Sequence, residues 1–261
     1  MNIFYRRYGT EGFPIVLLHG LFGSSDNLTY LAKKLSDRFV VYVPDIRNHG
    51  KSFHADKHNY SEIANDLNDF FKEHRIGKAF LIGHSMGGKV AMRMALDFPD
   101  KVEKLFVIDI APIKYVINNY NWISTVLNYS SENSLYLFNS RNEITEFYKE
   151  LGLDENITEL IQKNIKISST GKYVWKCNID VIKKDLPQIL GGFEDYEENT
   201  SNIKTYFLKA TKSDYLKLEH LEIIKVLFPK FEIIDIPNAG HWAHIDQPEL
   251  LSNILQLYLK I

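Results

Sequence analysis

The sequence predicts an α/β fold, a mostly parallel sheet with helices packed on both faces, and three observations predict it. Strand-length apolar runs alternate with stretches of helical periodicity. Two of the runs, Pro14–Leu18 and Phe39–Val43, are apolar almost throughout, which suits strands covered on both sides. Polar, glycine-bearing turns follow the strands, and short right-handed crossovers would gather those turns at one edge of the sheet, where such folds bind ligands.

Taken in order, residues 2–8 read as an extended edge strand entering the turn Gly9–Gly12. The run Pro14–Leu18 ends at His19-Gly20-Leu21-Phe22-Gly23-Ser24, and helical spacing returns through Leu28, Leu31, Ala32 and Leu35. Phe39–Val43 is a second buried strand, followed by the polar loop Asp45–Ser52. Ile63, Ala64, Leu67, Phe70 and Phe71 share one stripe of a helix over 61–73. Strand Ala79–Ile82, a helical pattern through Val90–Leu96, and strand Lys104–Asp109 complete the first half.

The alternation stops at Pro112. Residues 113 to 190 are rich in Tyr, Asn, Ile and Trp; they predict helices near 119–128, 142–151 and 154–165, with a hairpin turning at Thr170-Gly171. Asn178 is placed to cap a further helix through Ile179, Val181 and Ile182, and 191–202 reads as a connector. Strand 203–209, helix 217–228, strand 231–236 and a last helix over 248–259, with Pro248 in its first turn, resume the alternation. The expected organisation is one α/β core, 1–112 with 203–261, carrying a helical cap insertion and connector at 113–202.

Composition narrows the function. With 261 residues, 45% hydrophobic and 25% charged, the chain can bury a substantial core, and a net charge of −2 argues against nucleic acid or a membrane surface as partner. The segment Met1–Arg7 has no apolar stretch behind its charges, so it does not read as a signal peptide. The single cysteine, Cys177, excludes an intrachain disulfide. Nine histidines are present, but no H-E-x-x-H motif or Cys/His cluster accompanies them. The expectation is a cytoplasmic protein, monomer or homodimer, that needs no metal or cofactor.

The chemistry concentrates at the strand ends. Gly83-His84-Ser85-Met86-Gly87 stands between a strand and a helix, a G-x-S-x-G turn so tight that only glycine fits two residues either side of the serine. A serine hydroxyl needs a base within hydrogen-bond reach. His241, in the loop after the last strand, is the preferred candidate over His84 and His244. The base needs a carboxylate to hold its tautomer. Asp109 is preferred, with Asp214 as the alternative acid and Asp180 as a third candidate; the spacing common in the loop after strand 203–209 would put an acid at 213, but that residue is serine. The N–H groups of Leu21 and Met86 are the candidate oxyanion donors, and His19 is read as a brace for its loop. Phe22, Tyr115, Tyr120, Trp122, Trp175 and Trp242 could line a substrate pocket or simply pack among themselves.

These stretches resemble the α/β-hydrolase superfamily along essentially the whole chain, and within it the small bacterial YbfF-type esterases and their mitochondrial relative, α/β-hydrolase domain-containing protein 11. The resemblance rests on His19–Ser24 with Asp26-Asn27-Leu28, Asp45–Gly50 with Ser52, Gly83–Lys89, Asp109-Ile110-Ala111-Pro112, and Asn238–Trp242. It implies a serine hydrolase for short-to-medium acyl esters or thioesters, a helical cap, and an acid at the strand end that carries Asp109. The stretch Lys209–Asp214 departs from the Gly-Gly-Asn-Ser of that group. Two other readings share the fold: a lyase of the menaquinone-pathway type, which wants several basic residues facing the pocket where the insertion offers no arginine cluster, Arg141 being its only arginine, and a small-molecule receptor with vestigial hydrolysis.

Overall fold

The computed structural model describes residues 2–116, 121–131, 133–193 and 200–260. The first half alternates as its pattern predicts: β1 (Tyr5–Tyr8), β2 (Phe13–Leu18), α1 (Thr29–Leu35), β3 (Phe39–Pro44), α2 (Tyr60–Glu73), β4 (Ala79–His84), α3 (Met86–Asp97) and β5 (Val102–Ile108). Between β5 and the next strand of the main sheet come α4 (Asn121–Asn128), α5 (Arg141–Glu150), α6 (Glu155–Lys163), the hairpin β6 (Ile165–Ile167) and β7 (Tyr173–Trp175), α7 (Ile179–Lys184) and α8 (Leu186–Leu190). The chain closes with β8 (Lys204–Ala210), α9 (Leu221–Leu227), β9 (Phe231–Ile236), α10 (Ala243–Asp246) and α11 (Pro248–Tyr258).

Among the described residues, seven strands form the main sheet in the order β1-β3-β2-β4-β5-β8-β9. Every pairing is parallel except that of the edge strand β1, which runs antiparallel to β3. The apolar runs are buried on both faces, and the two-residue period of a strand divides them. Val16, Leu18, Leu81 and Val107 face α2 and α3, in a core with Ile63, Leu67, Phe71, Val90 and Met94. Ile15, Leu17, Phe80, Ile82 and Phe106 face the other way, toward Leu31, Leu35, Leu251 and Leu255 of α1 and α11. The first of these cores continues into the segment between β5 and β8 through Val126, Ile144, Tyr148 and Ile182.

Local signals set several boundaries. Asn59, Ser140, Asp154 and Asn178 each accept the N–H three residues on, capping α2, α5, α6 and α7, as predicted for Asn178. The helix expected over 154–165 stops at Lys163, because Ile165 pairs with Trp175 in the hairpin. The helix expected over 217–228 divides into a 3₁₀ turn, Leu218–His220, and α9. The short helices α8 and α10 were not apparent from periodicity, being only five and four residues long. Part of the expected helix start near 119, Tyr120, and 194–199 of the connector lie outside the described residues. Among the described residues no helix is long and apolar enough to cross a membrane.

Candidate active site

Ser85 sits between β4 and α3 with φ 54° and ψ −123°, a strained backbone for a side chain other than glycine. Its N–H still donates to Ile108 O at 3.1 Å, so the turn is anchored on β5. The flanking glycines are sterically required: a β-carbon on Gly83 would stand 2.1 Å from Gly87 O, and one on Gly87 2.4 Å from Leu18 O.

His241, between β9 and α10, lies with Nε2 3.0 Å from Ser85 Oγ and Nδ1 2.8 Å from Asp109 Oδ2. A carboxylate can only accept, so Nδ1 carries the proton and Nε2 presents its lone pair to the serine hydroxyl. Asp109 ends β5 in a left-handed conformation, φ 50°, and is wholly buried. Its other donors come from the neighbouring strand end: Ala210 N–H at 3.1 Å on Oδ1 and the Ser213 hydroxyl on Oδ2. Tyr215 lies flat on the His241 imidazole, ring centres 3.6 Å apart and planes 14° from parallel. This order of atoms can draw the proton from Ser85 as its oxygen attacks, with the resulting imidazolium held between a carboxylate and an aromatic face.

The alternative acid lies apart from His241 in this geometry. The Asp214 side chain is 87% exposed and pairs with Lys217 Nζ at 3.5 Å, because the one-residue offset from 213 turns it outward while Ser213 turns in. Asp180, in the first turn of α7, is exposed. Of the rival bases, His84 is committed elsewhere. His84 Nε2 lies 2.7 Å from His241 O, and since a carbonyl only accepts, the ring donates there. Burial, then the neighbouring His244 and His241, hold its pKa well below 6.5. His244 is lowered to about 4, again chiefly by burial.

The loop after β2 faces Ser85. Among the described residues, neither Leu21 N–H nor Met86 N–H has an acceptor, which leaves both available to a developing oxyanion. His19 is a brace, as its position suggested: Ile46 N–H donates to its Nε2 at 3.0 Å, so its Nδ1–H donates to Gly20 O at 2.9 Å. His58, lowered to about 3 mainly by burial, reaches Met86 Sδ from Nε2 at 3.4 Å.

A cleft opens over Ser85 and His241. Tyr115, Trp122 and Trp242 line it, together with Ile123, Leu160 and Tyr215. Two expected pocket residues do not. Phe22 is buried beneath the cleft, its ring 6.0 Å from Trp122. Trp175 packs in the segment between β5 and β8, against Tyr148, with Nε1 3.4 Å from Ser134 Oγ. The sequence reading also missed Tyr215 and the donor role of Ser213; a serine standing where an acid is usual was the available signal for the latter. Arg141 is engaged with Gln162 and Ile165 carbonyls away from the cleft. Among the described residues, no cluster of three or more His, Cys, Asp or Glu side chains is arranged to hold a metal ion.

A family model described as the alpha/beta hydrolase fold matches residues 14–248. The chain is 31% identical to Esterase YbfF of Escherichia coli over 95% of this chain and 93% of that one. It is 34% identical to the sn-1-specific diacylglycerol lipase ABHD11 of Danio rerio, over 98% of this chain and 82% of the relative. A solved marine microorganism esterase superposes with a TM-score of 0.90 at 37% identity, over 98% of this chain and 99% of that one.

Proposed function

The chain belongs to the α/β-hydrolase fold family and is a hydrolase; from that premise we propose a serine esterase that forms an acyl-enzyme on Ser85. The observation that carries the reading is the unbroken hydrogen-bond line from Ser85 Oγ through His241 to buried Asp109. In this reading His241 Nε2 takes the hydroxyl proton as Oγ bonds to the acyl carbon. Leu21 and Met86 N–H groups hold the tetrahedral oxyanion, and collapse expels the alcohol or thiol with the proton from the imidazolium. Water, deprotonated by the same imidazole, then releases the acid and restores Ser85.

Residues 1–112 and 203–261 act as the hydrolase core and 113–202 as a cap over the cleft. The placement of every main-sheet strand in the first two stretches supports that division. Ile123, Leu160, Trp122 and Trp242 favour an uncharged short-to-medium acyl chain. Cleavage of esters is also what the names of the relatives describe, an esterase and a diacylglycerol lipase. The test is multiple-turnover hydrolysis of p-nitrophenyl esters of graded chain length by wild type and Ser85→Ala. Sustained turnover that falls on the order of 10⁶-fold in the variant is expected. Equal activity in both would remove Ser85 as nucleophile.

A further inference from the structure

A peptide N–H lowers the barrier to acyl transfer only if its direction is fixed before charge develops. The peptide joining Gly20 to Leu21 lies against the nucleophile, since a β-carbon on Gly20 would stand 3.2 Å from Ser85 Cβ. Its carbonyl is held by His19 Nδ1–H and Gly23 N–H, both at 2.9 Å. In a trans peptide the Leu21 N–H therefore points away from those donors.

The next two peptides are held as well, by groups that the hydrolytic scheme does not use. Phe22 N–H donates to His49 Nε2 at 3.2 Å, and Phe22 O accepts from Asn164 Nδ2. Between these two bonds Phe22 has φ 57°, a left-handed conformation that its side chain disfavours. Without external partners the turn has every reason to relax, carrying Leu21 with it.

The His49 ring is built for its part. Nδ1 lies 3.1 Å from Arg47 O and must donate there, which leaves Nε2 as an acceptor. It is fully buried, and burial, with His58 and His19 nearby, holds its pKa well below 6.5. Asn164 comes from the opposite side. It ends α6 in the proposed cap, its amide nitrogen shared between Phe22 O and Leu160 O, its backbone carbonyl taking Lys176 N–H at 2.7 Å. The same part of the cap grips the residue before His49, through Asn178 N–H to Asn48 O at 2.8 Å. One left-handed turn is thus held from the core by an imidazole and from the cap by an amide.

We propose that His49 and Asn164 are positioning residues of the oxyanion hole, and that Asn164 makes the seating of the cap a condition of acyl transfer. The inference rests on the serine-esterase reading above. Its consequence is that the cap acts on chemistry as well as on substrate binding.

The experiment compares wild type, His49→Phe, His49→Gln, Asn164→Ala and Ser85→Ala in two measurements. One is kcat and KM for p-nitrophenyl butyrate. The other is the inhibition constant of a trifluoromethyl ketone of matched chain, whose carbonyl adds Ser85 Oγ and leaves a charged oxygen in the hole while the serine proton passes to His241. Both His49→Phe and Asn164→Ala should lose about 10- to 100-fold in kcat and lose ketone affinity by the same factor, with KM within about twofold. His49→Gln, which can accept from Phe22 N–H and donate to Arg47 O, should stay within about threefold of wild type. If His49→Phe does not fold, Asn164→Ala, remote from the nucleophile, carries the test alone. A change in KM or melting temperature with unchanged ketone affinity would overturn the inference while leaving a Ser85-dependent esterase intact. Full turnover by Ser85→Ala would overturn the esterase reading itself, and this inference with it.

Discussion

Strands β5 and β8 lie side by side and leave the sheet in opposite ways. At the end of β5 the chain turns into a left-handed residue, Asp109, whose carboxylate is fully buried against His241. At the end of β8 it supplies only neutral donors, Ala210 N–H and the Ser213 hydroxyl, and both go to Asp109. The nearest carboxylate on that side, Asp214, points into solvent. A buried carboxylate is costly unless each oxygen is satisfied, and the partners of Asp109 come from the end of β8 and from His241. The two ends therefore divide the work: β5 brings the charge and β8 stabilises it. A reading that asks only which loop holds the acid sees half of the arrangement.

The largest effect should come from breaking the β5 side. Asp109→Asn keeps the shape but offers His241 an amide that can donate to Nδ1, fixing the wrong tautomer. Turnover should fall by about 10⁴ with KM little changed, measured on the same p-nitrophenyl esters. Breaking the β8 side should cost less. Ser213→Ala removes one charge-assisted donor from Asp109 and leaves Ala210 N–H and His241 in place, so kcat should drop by about tenfold. Equal losses in the two variants would mean that the carboxylate orients the imidazole only while the hydroxyl holds it.

The contrast between the strand ends also explains how much could be read in advance. Ser85 was legible because its strain demands glycine at 83 and 87, a constraint that acts over a few residues, and His241 because a loop after the last strand can bring an imidazole over the sheet edge. Strands and helices of the core were legible because burial on two faces leaves long apolar runs. Asn164 was not, for it meets Phe22 across 142 positions of sequence, a contact with no period or spacing to announce it. Phe22 and Trp175 stayed undecided between cleft and core for a related reason: an aromatic ring satisfies a core and a pocket wall equally well, and only packing decides which. Tyr215 stayed hidden because stacking on His241 leaves no local signature in the chain.

The smallest expected effect sharpens the comparison most. Asp214→Asn differs from Asp109→Asn only in place, yet its carboxylate is 87% exposed and its partner is Lys217 three residues on, at 3.5 Å. Such surface pairs contribute little, because water screens them and two long side chains must be ordered to form them. Turnover should remain within about twofold of wild type. For Asp214 to orient His241, the loop would have to rotate by a residue, which would withdraw Ser213 from Asp109 and strand a buried carboxylate one donor short. The double variant Ser213→Ala/Asp214→Asn reports on that coupling. Independent sites give a loss equal to that of Ser213→Ala alone, whereas a further drop of tenfold would show that the loop can deliver Asp214 to the imidazole once its anchor is gone.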